Sequence, residues 1–219
     1  METSTKKNLI LSALELFACQ GIDAVSMRTI NNAAGTKNAS AVHYHFGNKL
    51  GIIEAIVAFI RAELDAYRLD ALCALEERVA KGEQPTPREI LWAAFTPYAR
   101  LYKTPGYGPH ALKFLARTLT DMSPELRAVL NRDPQSIFNR FDAVLARALP
   151  GLTDDTRRVR YIYFWTLMVQ GFSNWDQLSN TTFGDLSPET EDQGLLRFFD
   201  YLVGGMEGGV SASQSELHK

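Results

Sequence analysis

The chain has 219 residues, 46% hydrophobic and 22% charged, with a formal net charge of −2. This is ordinary globular composition, long enough for a sizeable core and one or two domains, and it excludes a uniformly basic nucleic-acid coat. The most apolar run, Tyr161 to Val169, is half of what a membrane span needs. The opening Met-Glu-Thr-Ser-Thr-Lys-Lys lacks the apolar core of a signal peptide, so a soluble, cytoplasmic protein is expected. Cys19 and Cys73 are too few for a disulfide framework and lie in apolar helical patterns, where buried, reduced thiols are expected. Residues 1–50 hold five basic against three acidic side chains, a net +2 that leaves −4 for the remainder. A small basic head on an acidic body suits a chain whose N-terminal end meets a polyanion.

Helical periodicity runs throughout, and no strand pattern survives. The first helix is expected from about Lys6 to Gln20, with Ile10, Ala13, Leu14 and Phe17 on one face and Gly21 as its stop. Ser26 stands ready to cap a short second helix, whose Met27, Ile30, Ala33 and Ala34 face inward before Gly35 ends it. A third short helix fits Asn38 to Phe46, with Val42 and Phe46 turned to the core. Asn48 then caps a long helix carrying Ile53, Ile56, Val57, Ile60, Leu64, Tyr67, Ala71 and Leu75 almost to Gly82. After the linker Glu83-Gln84-Pro85-Thr86-Pro87, helical spacing resumes at Leu91, Phe95, Tyr98 and Tyr102 and stops at Thr104-Pro105-Gly106. Another helix covers Pro109 to Leu119. Ser123-Pro124 opens the next, which Pro134 should kink or break before the stripe resumes at Phe138, Phe141, Val144, Leu145 and Ala148. Thr153 opens an aromatic-rich helix to about Leu178, and Ser187-Pro188 starts a last helix ending near Gly204-Gly205.

Helix, turn, short helix, glycine turn and short helix within fifty residues is the spacing of a helix-turn-helix module. In such a module the third helix enters the major groove, which is wide enough for one helix. The residues Ala13…Phe17…Gly21, Ser26-Met27-Arg28-Thr29-Ile30, Ala34-Gly35 and Tyr44-His45-Phe46-Gly47-Asn48-Lys49 resemble the TetR-type transcriptional regulators. The resemblance covers about the first fifty-five residues, and its most specific part is the run from Tyr44 to Lys49. Two features depart from the family pattern. The stretch from Gly35 to Tyr44 is one residue longer than the commonest spacing, and Asn31 stands where a small apolar residue is usual.

Lys37, Asn38, Ser40, Ala41 and His43 lie on or before the third helix with side chains suited to base edges, Asn to adenine and Ala to the thymine methyl. Asn38 suits a helix cap equally well. The resemblance puts Tyr44 and Lys49 on phosphates, Lys49 beside the amides that open the long helix, with Ser26, Arg28 and Thr29 as further phosphate candidates. His43 and His45, two apart on a helix, point to different sides and do not converge on a metal ion. His45 is expected to be hydrogen-bonded within the head. No metal and no cofactor is expected.

Residues 51–219 carry no Gly-rich phosphate loop, nucleophile elbow or clustered His–carboxylate motif, so the chain is not expected to be an enzyme. They carry aromatic weight, which in a helical domain is first of all core. The resemblance implies an effector cavity among the middle helices, with Phe95, Tyr98, Tyr102, His110, Phe114, Phe138, Phe141, Gln170 and Asn174 as candidates for a largely apolar or aromatic ligand. It also implies a four-helix dimer interface, for which Tyr161, Trp165, Met168, Phe172, Leu195, Phe199 and Leu202 are candidates. A helix apolar on more than one face must bury both.

The expected fold is therefore all-α: an N-terminal three-helix helix-turn-helix head, residues 1–50, joined to a larger helical ligand-binding and dimerisation body, residues 51–207. A Ser- and Gly-rich tail, residues 208–219, is expected to be disordered. The expected function is that of a ligand-responsive DNA-binding regulator, a repressor that binds a near-palindromic double-stranded operator as a homodimer and has no membrane partner. An all-helical protein-interaction module and a small-molecule-binding protein without DNA binding are the alternatives.

Overall fold

The amides that open a helix have no partner within it, and among the described residues six helices begin where a side-chain oxygen takes one up. The computed structural model describes residues 2–36, 40–120, 123–132 and 135–209. Within them lie α1 (Glu2–Gln20), α2 (Met27–Ala33), α3 (Ala41–Phe46), α4 (Lys49–Ala80) and α5 (Pro87–Tyr102). They continue with α6 (Gly108–Thr120), α7 (Pro124–Asn131), α8 (Gln135–Ala148), α9 (Asp154–Ser173) and α10 (Glu191–Glu207), with no strand among the described residues. Ser26, Asn48, Ser123, Thr153 and Thr190 cap α2, α4, α7, α9 and α10, and Thr86 with Glu89 forms a reciprocal capping box on α5.

Two boundaries differ from the sequence expectation. Helix α9 stops at Ser173 because the Asn174 amide is shared between the carbonyls of Gln170 and Gly171, which tightens the chain into a 3₁₀ turn at Trp175–Ser179. Helix α10 is capped at Thr190 rather than Ser187, since the Ser187 amide is taken by Asp185 Oδ1 at 2.8 Å and Pro188 belongs to the loop. The expected break at Pro134 and nearly all of the tail fall outside the described residues.

Helices α1 to α3 and the start of α4 form the head, and a single apolar core runs on from Leu9 and Phe17 to Met206 in α10. Helix α6 occupies the middle, packed against α1, α5 and α9. Where α1 meets α6, the Phe17 and Phe114 rings stack with centroids 6.3 Å apart. Arg117 of α6 donates to the carbonyls of Ala18 at 2.9 Å and Cys19 at 3.4 Å, the last turn of α1. Arg61 of α4 does the same for α7, donating to Val129 O and Leu130 O at 3.2 and 2.7 Å.

Three inward expectations are corrected. Cys19 and Cys73 are both exposed, because the apolar stripes of α1 and α4 turn them to solvent, and Cys73 Sγ accepts from Arg140 at 3.3 Å. Ala33 is exposed, and Asn31 takes the buried place beside Ile30 instead. Tyr67 lies outside the core, with the Arg100 guanidinium 4.7 Å above its ring.

The beginning of α9 is tied to α8 by a buried ion cluster. Arg157 donates to Asp142 at 2.7 Å and to Asp154 at 2.9 Å, while Arg158 takes the other Asp142 oxygen at 2.8 Å. Burial pushes the Asp142 carboxyl up, but the two arginines outweigh it and hold the group below the ordinary carboxylate range. Arg157→Ala removes one partner of a buried carboxylate and is expected to lower the unfolding free energy by about 3 kcal/mol at neutral pH, read by urea denaturation. A carboxyl depressed in the folded state contributes stability above its unfolded pKa, and that contribution is lost as pH falls through the folded value. The deficit of the variant should therefore narrow below about pH 4.

Candidate nucleic-acid interface and effector cavity

Three glycines with positive φ let the head fold back on itself: Gly21 (+90°) after α1, Gly35 (+63°) after α2 and Gly47 (+73°) after α3. Between α2 and α3 the joint is made by Asn31, which is 2% exposed. Its Oδ1 accepts the Val42 amide at 3.1 Å and the Thr36 hydroxyl at 3.3 Å, while its carbonyl takes the Thr36 hydroxyl at 3.1 Å and the Thr36 amide at 3.3 Å. The residue that departs from the family pattern is thus the polar pin that fixes α3 on α2. An apolar side chain at this position supplies no acceptor for the Val42 amide.

Helix α3 presents His43 and Tyr44 to solvent, with Ser40 exposed just before it and Tyr44 76% exposed. Ala41 is only 6% exposed, which corrects its assignment to a base edge: with Val42 it forms the inward side of α3. Lys37 and Asn38 lie outside the described residues. His43 donates from Nδ1 to Gly47 O at 3.0 Å, which leaves Nε2 on the outer side of the hydrogen bond. The bond expected for His45 is made by His43, and His45 packs edge-on to Tyr44 with ring centroids 5.1 Å apart.

Around this helix stand several cations and hydroxyls. Arg28 is exposed and makes no hydrogen bond or ion pair among the described residues. Ser26 Oγ caps Thr29 N at 3.0 Å and pairs with Thr29 Oγ1 at 2.8 Å, so both hydroxyls are engaged with each other. Lys49 Nζ donates to the carbonyls of Ile22 at 3.0 Å and Asp23 at 3.4 Å, fastening the α1–α2 turn to the start of α4 with two of its three donors. Sequence reasoning counted Lys6 only as charge, yet its ammonium lies 5.9 Å from the Phe46 ring centroid, at the end of α3. The signal was the basic pair Lys6-Lys7 near the start of α1. Among the described residues, no group of His, Cys, Asp and Glu is placed to hold a metal ion.

In the body, the candidate effector residues do not converge on one place. Tyr98, Phe138 and Phe141 surround a void with Arg68, Tyr161 and Trp165, where Trp165 Nε1 donates to the Tyr98 hydroxyl at 2.8 Å. The void measures about 20 Å³, room for about one water. Burial pushes both phenols, Tyr98 and Tyr161, up from their ordinary range. Phe95 and Tyr102 belong instead to a second aromatic cluster with Phe172, whose centroid lies 5.4 and 5.5 Å from theirs. Phe114 sits at the head–body joint. Gln170 and Asn174 are fasteners: Gln170 donates to Ala116 O at 3.3 Å, and Asn174 to Gln170 O at 2.8 Å. His110 is half-buried on the first turn of α6. The expected single cavity is thus closed, because the rings pack on one another.

The dimer candidates are corrected as well. Tyr161, Met168, Phe172, Leu195, Phe199 and Leu202 are buried and Trp165 half-buried within one protomer. The apolar side chains left outside on α9 are Val159, Ile162, Tyr163 and Leu167, and on α10 Leu196 and Tyr201. Both helices are apolar on two sides, and the aromatic stripe went inward. Between the outward sides runs a cleft of about 460 Å³ that includes Tyr163, Leu167 and Tyr201.

The sequence matches the family described as "Bacterial regulatory proteins, tetR family" over residues 9–56 and "Tetracyclin repressor-like, C-terminal domain" over residues 92–205. No curated protein matches the chain. Among solved structures it is similar to the fatty acid degradation regulator FadR from Bacillus halodurans, with TM-score 0.62 and 15% identity over 94% of this chain and 99% of that one. It is also similar to the TetR family transcriptional regulator PfmR from Thermus thermophilus, with TM-score 0.57 and 19% identity over 92% and 96%. A third similar structure is NalD, the secondary repressor of the MexAB-OprM multidrug efflux pump in Pseudomonas aeruginosa, with TM-score 0.54 and 20% identity over 91% and 95%. At these identities the likeness is one of fold.

Asn31→Ala leaves the buried Val42 amide without its acceptor and is expected to cost about 1–3 kcal/mol of stability, read by urea denaturation. Hydrogen exchange at the amides of α3 should rise with it.

Proposed function

The chain belongs to the TetR family of DNA-binding transcriptional regulators, and from that premise we propose that it is a homodimeric repressor released from its operator by a small effector. The observation that carries the reading is the outer side of α3. It offers His43 Nε2 and Tyr44 on a six-residue helix held by Asn31, with Ser40 just before the helix and Arg28 also exposed. In this reading Lys37, Asn38, Ser40 and His43 meet base edges, while Tyr44, Arg28 and the third donor of Lys49 meet phosphates, as do Ser26 and Thr29. Lys6 joins the phosphate contacts. A single short helix reads few bases, so a two-fold dimer reading both halves of a near-palindrome makes physical sense of the head. The outward apolar sides of α9 and α10 supply a surface for that dimer, and the repressor sign accords with NalD, itself a repressor.

The effector is largely apolar or aromatic, and it enters by displacing rings around the Tyr98–Trp165 void. Phe138 and Trp165 are the half-buried aromatic members of that wall. The closed void belongs to the operator-bound state, and the ligand selects an opened one. The shift requires tighter binding to the opened state, because equal affinity for both moves nothing. Helix α6 carries the change, since it touches α9 through Gln170 and α1 through Arg117.

The test is selection of bound duplexes from a random pool, followed by affinity against salt. A near-palindromic winner with a steep salt slope is expected, and Arg28→Ala should lower that slope by about one ion across all sequences. No selection by protein refolded free of small molecules would overturn the reading.

A further inference from the structure

The loop between α9 and α10 carries an aromatic side chain that its own protomer leaves outside. Phe183 is 86% exposed. The turn beneath it is nevertheless fixed: Thr181 and Gly184 exchange backbone hydrogen bonds at 3.1 and 3.0 Å, and the Thr181 hydroxyl accepts the Phe183 amide at 3.1 Å. The base is pinned by Leu186 N donating to Leu178 O at 2.8 Å. Gly184, at φ +92°, satisfies the conformational demand of the turn, and nothing in its hydrogen bonding asks for an aromatic at position 183.

Beside the turn lies an open cavity of about 400 Å³, walled by Trp175, Leu178, Leu186, Pro188 and Phe198, with Arg197 among its lining. Two glycines set those walls. A Cβ at Gly171 would overlap the Phe198 ring, and one at Gly194 would overlap Trp175 and Pro188. The rings are therefore seated on backbone, and the space between them is built into the fold.

This cavity continues the outward side of the two helices. Tyr163, Leu167 and Gly171 follow one another at helical spacing on α9, with Asn174 just past its end, as do Gly194, Arg197 and Tyr201 on α10. The first two and the last line the cleft of the dimer surface, and the others line the cavity. We propose that the partner subunit's Phe183 fills this cavity, reciprocally in both protomers, so that residues 174–190 form a clasp across the dimer. The proposal rests on the homodimer reading above. An isologous interface uses each patch twice, so one exposed ring and one apolar cavity per chain are matched in number.

Sedimentation across a dilution series of the full chain and of Phe183→Ser tests it. The wild type is expected to dimerise, and the substitution to raise the dimer dissociation constant at least about 30-fold, since two aromatic rings lose their burial. Helicity should be unchanged, because the ring is exposed within the protomer. In a Cys19→Ser, Cys73→Ser background, Phe183→Cys with Leu178→Cys should give covalent dimers on mild oxidation. A disulfide formed only within the chain would overturn the clasp and assign the cavity to its own turn. A wild-type dimer indifferent to Phe183→Ser would overturn the clasp and leave the dimer standing. A chain monomeric at every concentration would remove the dimer reading itself.

Discussion

The carbonyls that end a helix have no partner within it, and at Ala18 and Cys19 that partner is Arg117 of α6. Because the guanidinium is planar and always charged, the contact fixes direction as well as distance. With Phe17 stacked on Phe114 at the same joint, the head and the middle of the body behave as one packed unit. Helix α6 is in turn fastened to α9 by Gln170. Any rearrangement of the body that moves α6 is therefore delivered to α1. Packed interfaces of this kind switch between arrangements; they do not deform smoothly.

The same close packing explains the small void around Tyr98. Aromatic rings from α8 and α9 meet there edge to face, Phe138 lying 5.5 and 5.4 Å from Tyr161 and Trp165. Such contacts stabilise the closed body. A ligand of similar chemistry can replace them without leaving polar groups unpaired, apart from the Trp165–Tyr98 hydrogen bond. In the proposed mechanism, opening is then a substitution of one apolar partner for another.

Polar side chains are few in the interior of the described residues; Thr118 bonds within α6, and Asn31, Asp142 and Arg157 each hold two elements together. Asn31 joins α2 to α3, and Asp142 with Arg157 joins α8 to α9. A buried polar group tolerates only the geometry that satisfies it. These residues consequently define the angle at which neighbouring helices meet, which apolar packing leaves looser. Asn31 holds α3 and the ion cluster holds the start of α9.

Much of this molecule was written locally. Caps at Ser26, Asn48, Ser123 and Thr153 and stops at Gly21, Gly35 and Gly82 are short-range chemistry. The helix order, the three-helix head and the family resemblance were legible from them and from 3.6-residue periodicity. What one sequence leaves open is which side of a two-sided helix turns inward, because periodicity gives the stripes and not their partners. On α9 the stripe of Tyr161, Met168 and Phe172 entered the core and that of Ile162, Tyr163 and Leu167 stayed outside. The same ambiguity placed Ala41 inside and Cys73 outside. The separation of Phe95, Phe114 and Tyr98 into three environments depended on helix crossings that no local pattern encodes. Only tertiary packing decided those, since burial is a property of pairs of surfaces and a sequence lists one surface at a time.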